Sequence, residues 1–427
     1  MDSQSVPFTV QQRYFWTRPG GDDGLYTLIP FPFLLLGPLD PERLGKSIQQ
    51  LIDRHDALRI RVVAADGAPP RQKFLPSAPY RLERLDLSAP DKSETEIDAQ
   101  LQAELQRRFN RRIVLDTDSL FEATLFTLAA SRHALVLWVH HLLADAHTPS
   151  LLLQDLWTLY ADPASTNAAG EPAQYSQYCA WQQQILASWL DEQRPYWTQR
   201  LATARPIQWP DVSPAPLRPN GSSDGVTCIL GAAATARLRA QATRSRKQLS
   251  LYALTAYAAA VRDWCDQSDF VLTVSFAGRL AKEHLGVVGF LVQPLYLRVQ
   301  TTPEADFESL LGLIGREYFG ALFHRDFGQS VLDNPDLGAG ALFQWFPADW
   351  RLLPPPSLNL SFRVERLAFK HRGCFQEKFK LGIFVFEAAD QLSLHGAFRP
   401  DCVQRSTVEQ LLQNIRRHLE RQAATDA

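Results

Sequence analysis

The sequence predicts an α/β protein in which helices pack on mixed sheets and the chain divides into two lobes. Segments with helical spacing of apolar residues alternate with apolar, strand-like runs in both halves of the chain. At residues 205–224, five prolines followed by Asn-Gly-Ser-Ser form a semi-extended linker that divides the 427 residues nearly in half. We therefore predict an N-terminal lobe over residues 1–204 and a C-terminal lobe over residues 225–427.

Each element of this prediction follows from the spacing of its apolar residues and from the turn residues beside it. In the first half we expect, in chain order, a helix at 41–56, a strand at 58–63, a helix around Ile97, Leu101 and Leu105, a hairpin of 123–128 with 133–139, and a helix at 151–160. In the second half we expect a helix at 249–265, strands at 270–276 and within 287–299, a strand pair at 381–387 and 392–398, and a last helix opened by a capping box at 406–409.

The composition excludes several classes of protein. With 45% hydrophobic residues, 21% charged residues and a formal net charge of -2, the chain has the profile of a globular protein without a polyanionic partner. It lacks a run of about 18 apolar residues and an N-terminal basic segment followed by an apolar one. Five scattered cysteines with no Cys-x-x-Cys pair are typical of reduced thiols. We therefore expect a cytoplasmic protein that binds neither nucleic acid nor membrane. We also expect a monomer.

The candidate chemistry lies at two adjacent histidines. Residues 134–139 form an apolar, β-branched and aromatic run that predicts a buried strand, and His140 and His141 follow it directly. Thr148 and Pro149 then predict a helix start, with Thr148 as the N-cap. Because strand side chains alternate between faces, only one of the two imidazoles can point into a given cavity. Histidine titrates near neutral pH, so such a ring can exchange protons during a reaction.

The residues themselves leave three interpretations of these histidines open. Both can be structural, or one can act as an acid or base in catalysis. A metal site is the third interpretation, because His140, His141, Asp145 and His147 form a cluster of potential ligands. No cysteine lies near in sequence, and Pro149 with the preceding strand argues against the helix that would bring His141 and Asp145 onto one face.

Residues 140–146 (HHLLADA) resemble the HHxxxDG signature of condensation domains in non-ribosomal peptide synthetases. Further segments are similar to motifs of that family, in the family's order: 9–16 (TVQQRYFW) to Ser-x-Ala-Gln-x-Arg, 54–59 (RHDALR) to RHExLR, 175–181 (YSQYCAW) to Tyr-x-Asp-Tyr-x-x-Trp, 277–279 (AGR) to Ala-Gly-Arg, 288–293 (VGFLVQ) to Gly-x-Phe-Val-Asn, and more weakly 324–326 (HRD) to His-Gln-Asp. Each match alone is short, but together they run along almost the whole chain. On this resemblance the chain is identified as a member of that family.

The resemblance implies two chloramphenicol acetyltransferase-like lobes that meet in a V, with a tunnel between them. A donor acyl group would arrive on the phosphopantetheine arm of an acyl or peptidyl carrier protein. An amine or hydroxyl acceptor, possible also as a free small molecule, would enter from the other side and form an amide or ester in natural-product biosynthesis. The family needs no bound cofactor. No further module is recognisable in these residues, so a free-standing enzyme that meets its carriers in trans is expected.

The resemblance also assigns roles to residues. His141, with His140 beside it, is expected to be catalytic, and His141 faces the tunnel, where it acts either as general base or by orienting the acceptor and stabilising charge. Asp145 is expected to pair with an arginine, either Arg279 or Arg59, and to support the site. The remaining residues assigned to the site or to the tunnel wall are Ala146, Trp138, Gly289, Phe290 and Gln293.

The chain departs from the family pattern at several positions. Ala146 replaces the glycine that ends the signature, Gln177 replaces an aspartate, and Gln293-Pro294 replaces Asn-Thr. A methyl group at Ala146 is expected to narrow the channel, and Pro294 removes an N–H from a strand-like segment. Two other functions remain as alternatives: acyl transfer from acyl-coenzyme A, and a catalytically silent domain that recruits carriers. Retention of both histidines argues against the silent domain.

Overall fold

Helices and strands alternate along the whole chain. The computed structural model describes residues 5–17, 28–63, 70–163, 172–210, 212–213, 224–279, 281–325, 342–348, 352–354, 358–367 and 379–424. In these ranges, helices α1 to α9 are Val10–Thr17, Pro41–Arg54, Glu94–Phe109, Thr148–Ala161, Tyr175–Leu201, Ala232–Arg244, Leu249–Cys265, Phe307–Phe323 and Arg405–Ala424. Strands β1 to β14 are Val6–Pro7, Leu28–Leu36, Ile60–Val63, Arg71–Phe74, Glu83–Asp86, Phe121–Ala129, Arg132–His140, Asp224–Leu230, Asp269–Phe276, Gln293–Gln300, Leu342–Phe346, Arg363–Arg366, Leu381–Glu387 and Leu392–Phe398.

The described strands form one main sheet in each half of the chain and one small sheet. The sheet of the first half has the order β12-β2-β7-β6-β5, and that of the second half the order β10-β9-β11-β13-β14-β8. Both sheets mix parallel and antiparallel pairs, as the sequence predicted. Strand β12 belongs to the second half but pairs with β2, so part of the second half crosses onto the sheet of the first.

Two hydrophobic cores accompany the two sheets. The first core includes Leu44, Trp157 and the buried strand β7, and the second is built around β9, α7 and α9. Helix α5 joins both cores, because Tyr175 near its start packs in the first and Trp197 near its end packs in the second. Most of the predicted linker at 205–224 lies outside the described residues, and the domain boundaries stay a prediction.

Most of the elements that the sequence predicts are present close to their predicted positions. Helix α7 and strands β13 and β14 have the predicted bounds. The strand expected within 287–299 begins only at Gln293. Residues 287–292, called the bridging segment below, are irregular, and they pack against the first core instead. Strand β10 is an edge strand, which is where a sheet tolerates the missing N–H of Pro294.

Two predicted helix starts are wrong. Helix α4 has His147 as its N-cap, and Thr148 is its first residue, because the Thr148 hydroxyl is engaged by Asp145 and Gly289. Helix α9 begins at Arg405, so the capping box predicted at 406–409 lies inside the helix. There the Thr407 amide donates to the Gln404 carbonyl at 3.1 Å.

Two findings concern the predictions on membrane binding and on cysteine oxidation. In the described part of the chain, no helix is both long and apolar enough to cross a membrane. Within the same ranges the cysteines Cys179, Cys228, Cys265 and Cys402 are free thiols. Cys374 lies outside the described residues.

Candidate active site

The two histidines are separated by the end of a strand. Strand β7 ends at His140, and His141–Leu143 form a short 3₁₀ turn, called the histidine turn below. His140 is fully buried, and its Nδ1 accepts a hydrogen bond from the Leu142 amide at 3.1 Å. This bond fixes the peptide group that follows His141. By its position His140 therefore supports the turn, and the expectation that it shares the catalytic role with His141 gains no support from the structure.

His141 is half-buried and lies where the two halves of the chain meet. Its ring packs edge-on against Phe290 of the bridging segment, with 4.9 Å between ring centroids and 62° between ring planes. Phe290 is itself buried, at 5% exposed. The contact limits rotation of the imidazole, so a group from the second half holds the candidate catalytic ring of the first half.

Asp145 anchors the bridging segment to residues 140–147, called the histidine loop below. Its carboxylate accepts hydrogen bonds from the Leu291 and Val292 amides at 3.0 and 3.1 Å. The other carboxylate oxygen accepts from the His147 and Thr148 amides at 3.0 and 3.1 Å. Asp145 thus bridges two stretches of backbone that lie nearly 150 positions apart in sequence.

Arg279 is the arginine that pairs with Asp145. Its guanidinium donates to the carboxylate at 2.6 Å, and both side chains are almost completely buried. Burial acts to raise the pKa of Asp145, but the charge and the hydrogen bond of Arg279, together with His147 and the Leu291 amide, outweigh it and hold the pKa below its ordinary value. The other candidate, Arg59, lies elsewhere, with hydrogen bonds to the carbonyls of Ile52 and Leu75.

Two glycines permit the close approach of the bridging segment. A Cβ at Gly289 would lie 2.3 Å from the ring of Tyr175, so only glycine lets that ring pack there. Gly278 has a φ of +71°, and a Cβ on it would lie 2.0 Å from the Leu291 carbonyl oxygen. The bridging segment can therefore pack in this place only with glycine at both Gly289 and Gly278. This explains the glycines in the motifs at 288–293 and 277–279.

Two residues of the site, Thr148 and Tyr175, are not identifiable as site residues from the sequence. Thr148 was predicted as a helix cap, yet its hydroxyl donates to the Gly289 carbonyl at 2.9 Å and accepts from the Gly289 amide at 3.3 Å. Tyr175 belongs to the motif at 175–181, and its hydroxyl donates to the Phe290 carbonyl at 3.2 Å. Both contacts join positions more than 100 residues apart, and no local pattern in the sequence could have found them.

The other residues assigned to the site have different surroundings. Trp138 is 2% exposed and donates from its indole N–H to the Thr124 hydroxyl at 3.3 Å, which places it inside the first core and gives no support to a role in the tunnel wall. Gln293 is buried, and its side-chain oxygen accepts a hydrogen bond from the side-chain NH₂ group of Gln11 at 3.1 Å. Ala146 is half-buried and its φ is negative, so its backbone does not require glycine.

The cluster of potential metal ligands is occupied by other contacts. Nδ1 of His140 accepts from a backbone amide, and Asp145 is paired with Arg279. Within the described ranges, no three side chains of histidine, cysteine, aspartate or glutamate are grouped so that they could hold a metal ion. The site instead contains the half-buried imidazole of His141 beside the apolar ring of Phe290.

Comparison with known proteins agrees with the resemblance in the motifs. A family model described as "Condensation domain" matches residues 3–426. The phosphinothricin tripeptide synthetase PhsC of Streptomyces viridochromogenes is 30% identical over 333 residues, which cover 76% of this chain and 30% of that protein. The chondramide synthase cmdD of Chondromyces crocatus is 26% identical over 328 residues, which cover 75% of this chain and 8% of that protein. The chain therefore spans only a small part of the length of these relatives.

Solved structures agree with the fold. The first condensation domain of the CDA synthetase matches with a TM-score of 0.77 at 19% identity, covering 99% of this chain and 97% of that one. The X-domain from teicoplanin biosynthesis matches with a TM-score of 0.84 at 18% identity, covering 100% and 96%, and it has also been solved in a complex with OxyB. These matches establish the fold, which consists of two chloramphenicol acetyltransferase-like lobes.

Proposed function

Because the chain belongs to the condensation-domain family of non-ribosomal peptide and polyketide biosynthesis, we propose that it transfers an acyl group from a carrier protein to an acceptor. The acyl group is held as a thioester on the phosphopantetheine arm of an acyl or peptidyl carrier protein. The acceptor is an amine or a hydroxyl, carried by a second carrier or free in solution. The carrying observation is the half-buried His141 ring at the junction of the two halves.

The reaction needs one proton to move. The acceptor nitrogen or oxygen attacks the thioester carbonyl, and its proton passes to the imidazole of His141. The C–S bond of the tetrahedral intermediate then breaks, and the departing phosphopantetheine sulfur takes up the proton. The products are an amide or ester and a free thiol, so His141 returns to its starting state. Alternatively, His141 orients the acceptor and stabilises the charge of the intermediate.

The remaining site residues would hold this geometry. Asp145 and Arg279 tie the bridging segment to the histidine loop, and Phe290 fixes the rotation of the His141 ring. A general base must lie within hydrogen-bond reach of the proton that it removes, and a small displacement costs much of its effect. We propose Phe290 for the wall of the reaction space and Ala146 for its edge; Gly289 and Gln293, which contact Tyr175 and Gln11, would support that wall from behind.

The test uses the purified chain, a carrier protein loaded with an acyl thioester, and amine and hydroxyl acceptors, with the product followed by mass spectrometry. His141→Ala is expected to lower the rate by about 10²–10⁴-fold, the usual contribution of general acid–base catalysis. His147→Asn is the matched control, because His147 is another half-buried histidine of the same loop. Unchanged turnover in His141→Ala, at an unchanged melting temperature, would remove His141 from the mechanism.

The same assay separates the two alternatives. Turnover with acyl-coenzyme A but not with acyl-carrier protein would assign the chain to coenzyme A-dependent transfer. The match to an X-domain that is solved with OxyB favours recruitment as a second candidate function. Recruitment predicts saturable binding of a loaded carrier or a partner enzyme, but no product with any donor and no effect of His141→Ala on that binding.

A further inference from the structure

Five buried glutamines form two hydrogen-bonded groups that meet at helix α1: Gln12 bonds to Gln72, and Gln11 bonds to Gln182 and Gln293. We call Gln11, Gln12, Gln72, Gln182 and Gln293 the amide cluster; each is at most 6% exposed. A buried primary amide is costly unless its donors and acceptor are satisfied, so such a group fixes the side chains that it contains. The cluster brings together helix α1, strand β4, helix α5 and strand β10, which come from both halves of the chain.

Gln12 is the most constrained member of the amide cluster. Its amide and that of Gln72 donate to each other, each at 2.9 Å, and form a closed pair. The Gln12 carbonyl oxygen also accepts from the Thr9 amide at 3.0 Å. These bonds fix the plane of the Gln12 amide and leave one N–H of its NH₂ group to point in a defined direction.

That remaining N–H reaches the histidine turn. Nε2 of Gln12 lies 3.1 Å from the carbonyl oxygen of Leu142, the residue that follows His141. On the other side, the Leu142 amide donates to His140. Leu142 is therefore held at both its N–H and its C=O by side chains that are completely buried. The backbone of the histidine turn cannot rotate without breaking one of these bonds.

We infer that Gln12 is a positioning residue for His141, an inference that rests on the proposed function because it concerns the same imidazole. Gln12 does not touch the reacting groups. It holds the Leu142 carbonyl, and through the backbone it sets the angle at which the His141 ring faces Phe290 and the acceptor. A displacement of about 1 Å in such a ring is sufficient for a loss of about 100-fold in rate.

The amide cluster offers a matched series of variants. Gln12→Met keeps the length of the side chain but removes both donors. Gln72→Met breaks the closed pair but leaves the bond from Gln12 to Leu142. Gln182→Met removes another buried amide of the cluster, whose bonds go to the Val10 amide and to Gln11 and Tyr178 instead of to the histidine turn.

We expect Gln12→Met to lower kcat by about 100-fold with KM for the acyl-carrier protein unchanged. Gln72→Met is expected to give an intermediate loss, and Gln182→Met to keep the wild-type kcat even where it lowers the melting temperature. A purely structural role predicts that Gln12→Met and Gln182→Met lose activity in proportion to their loss of stability. Equal kcat in these two variants would overturn the inference.

A second measurement does not depend on turnover. The ring signals of His141 are assigned by NMR from their absence in His141→Ala, and their chemical shifts are followed against pH. Gln12→Met is expected to shift the His141 signals and their titration, whereas Gln182→Met leaves both unchanged. If the wild-type chain makes no product, the proposed function fails, and the NMR comparison still decides on Gln12: unchanged His141 signals in Gln12→Met would overturn its positioning role.

Discussion

Loss of the Asp145 carboxylate is expected to destabilise the protein more than any surface substitution. In Asp145→Ala, the buried guanidinium of Arg279 loses its anion, and the amides of Leu291 and Val292 lose their acceptor. Breaking one partner of a buried ion pair costs about 3–5 kcal/mol. The stranded amides add to that cost, so we expect a loss near the upper end, about 5 kcal/mol. Domains are typically stable by about 5–15 kcal/mol, so much of the protein would be poorly soluble.

The assay is urea unfolding at neutral pH, followed by circular dichroism. A control for charge removal is Arg405→Ala, because the ion pair of Arg405 with Asp224 is about half exposed and solvent screening should leave it little effect on stability. The double variant Asp145→Ala/Arg279→Met removes the stranded charge as well, and it should recover part of the stability lost in Asp145→Ala.

The double variant also tests the physical reason. If Asp145→Ala unfolds at the wild-type urea concentration, the carboxylate does not anchor the bridging segment. A second outcome compares the losses of stability. If the double variant loses as much stability as Asp145→Ala and Arg279→Met lose separately, added together, the two residues act independently. The loss would then come from the stranded amides, and the ion pair itself would contribute nothing.

Further predictions concern the same region. Because Arg279 holds the folded-state pKa of Asp145 below its ordinary value, the stabilisation by this carboxylate is complete above about pH 4 and is lost as the pH falls through the lower folded-state pKa. Urea titrations against pH should therefore show a larger loss of stability in acid for the wild type than for Asp145→Asn. Gly289→Ala should cost about 1–3 kcal/mol by thermal unfolding, because its methyl group would overlap the ring of Tyr175. Gly278→Ala should cost more, at least about 2 kcal/mol, since it adds a positive φ to a collision with backbone, and failure to express as soluble protein is the expected readout. Ala146→Gly should keep the fold with a loss of about 0.4–1 kcal/mol in urea unfolding, because the position has a negative φ; a gain in stability would contradict this.

Local patterns in the sequence predicted the regular elements well because these elements depend on nearby residues. Helix α7 and the strand pair β13 and β14 need only their own apolar spacing, and their bounds agree with the prediction. The apolar residues of the bridging segment lie within 287–299, where a strand was predicted, but the strand begins only at Gln293. Those residues are buried, but against the first core and not in a ladder, and burial alone does not distinguish the two.

Side-chain contacts limited what could be predicted at the helix starts. Thr148 has the right residue type for an N-cap, but Asp145 and Gly289 compete successfully for its hydroxyl. A tertiary hydrogen bond of this kind replaces the local capping bond, and nothing in the neighbouring sequence indicates it. The same limit applied to Asp145 itself: the residues allowed either Arg279 or Arg59 as its partner, and only the fold separates them.

The candidate site explains why motifs so far apart in sequence occur together. Asp56, from the second motif, accepts from the Tyr175 amide at 2.9 Å and so holds the start of helix α5. Tyr175 in turn packs on Gly289 and donates to the Phe290 carbonyl, and Phe290 meets His141. Each motif thus holds the next one in space, and the last of them holds the imidazole. A change in any of these contacts should therefore displace His141, even though none of the other residues takes part in the proton transfer.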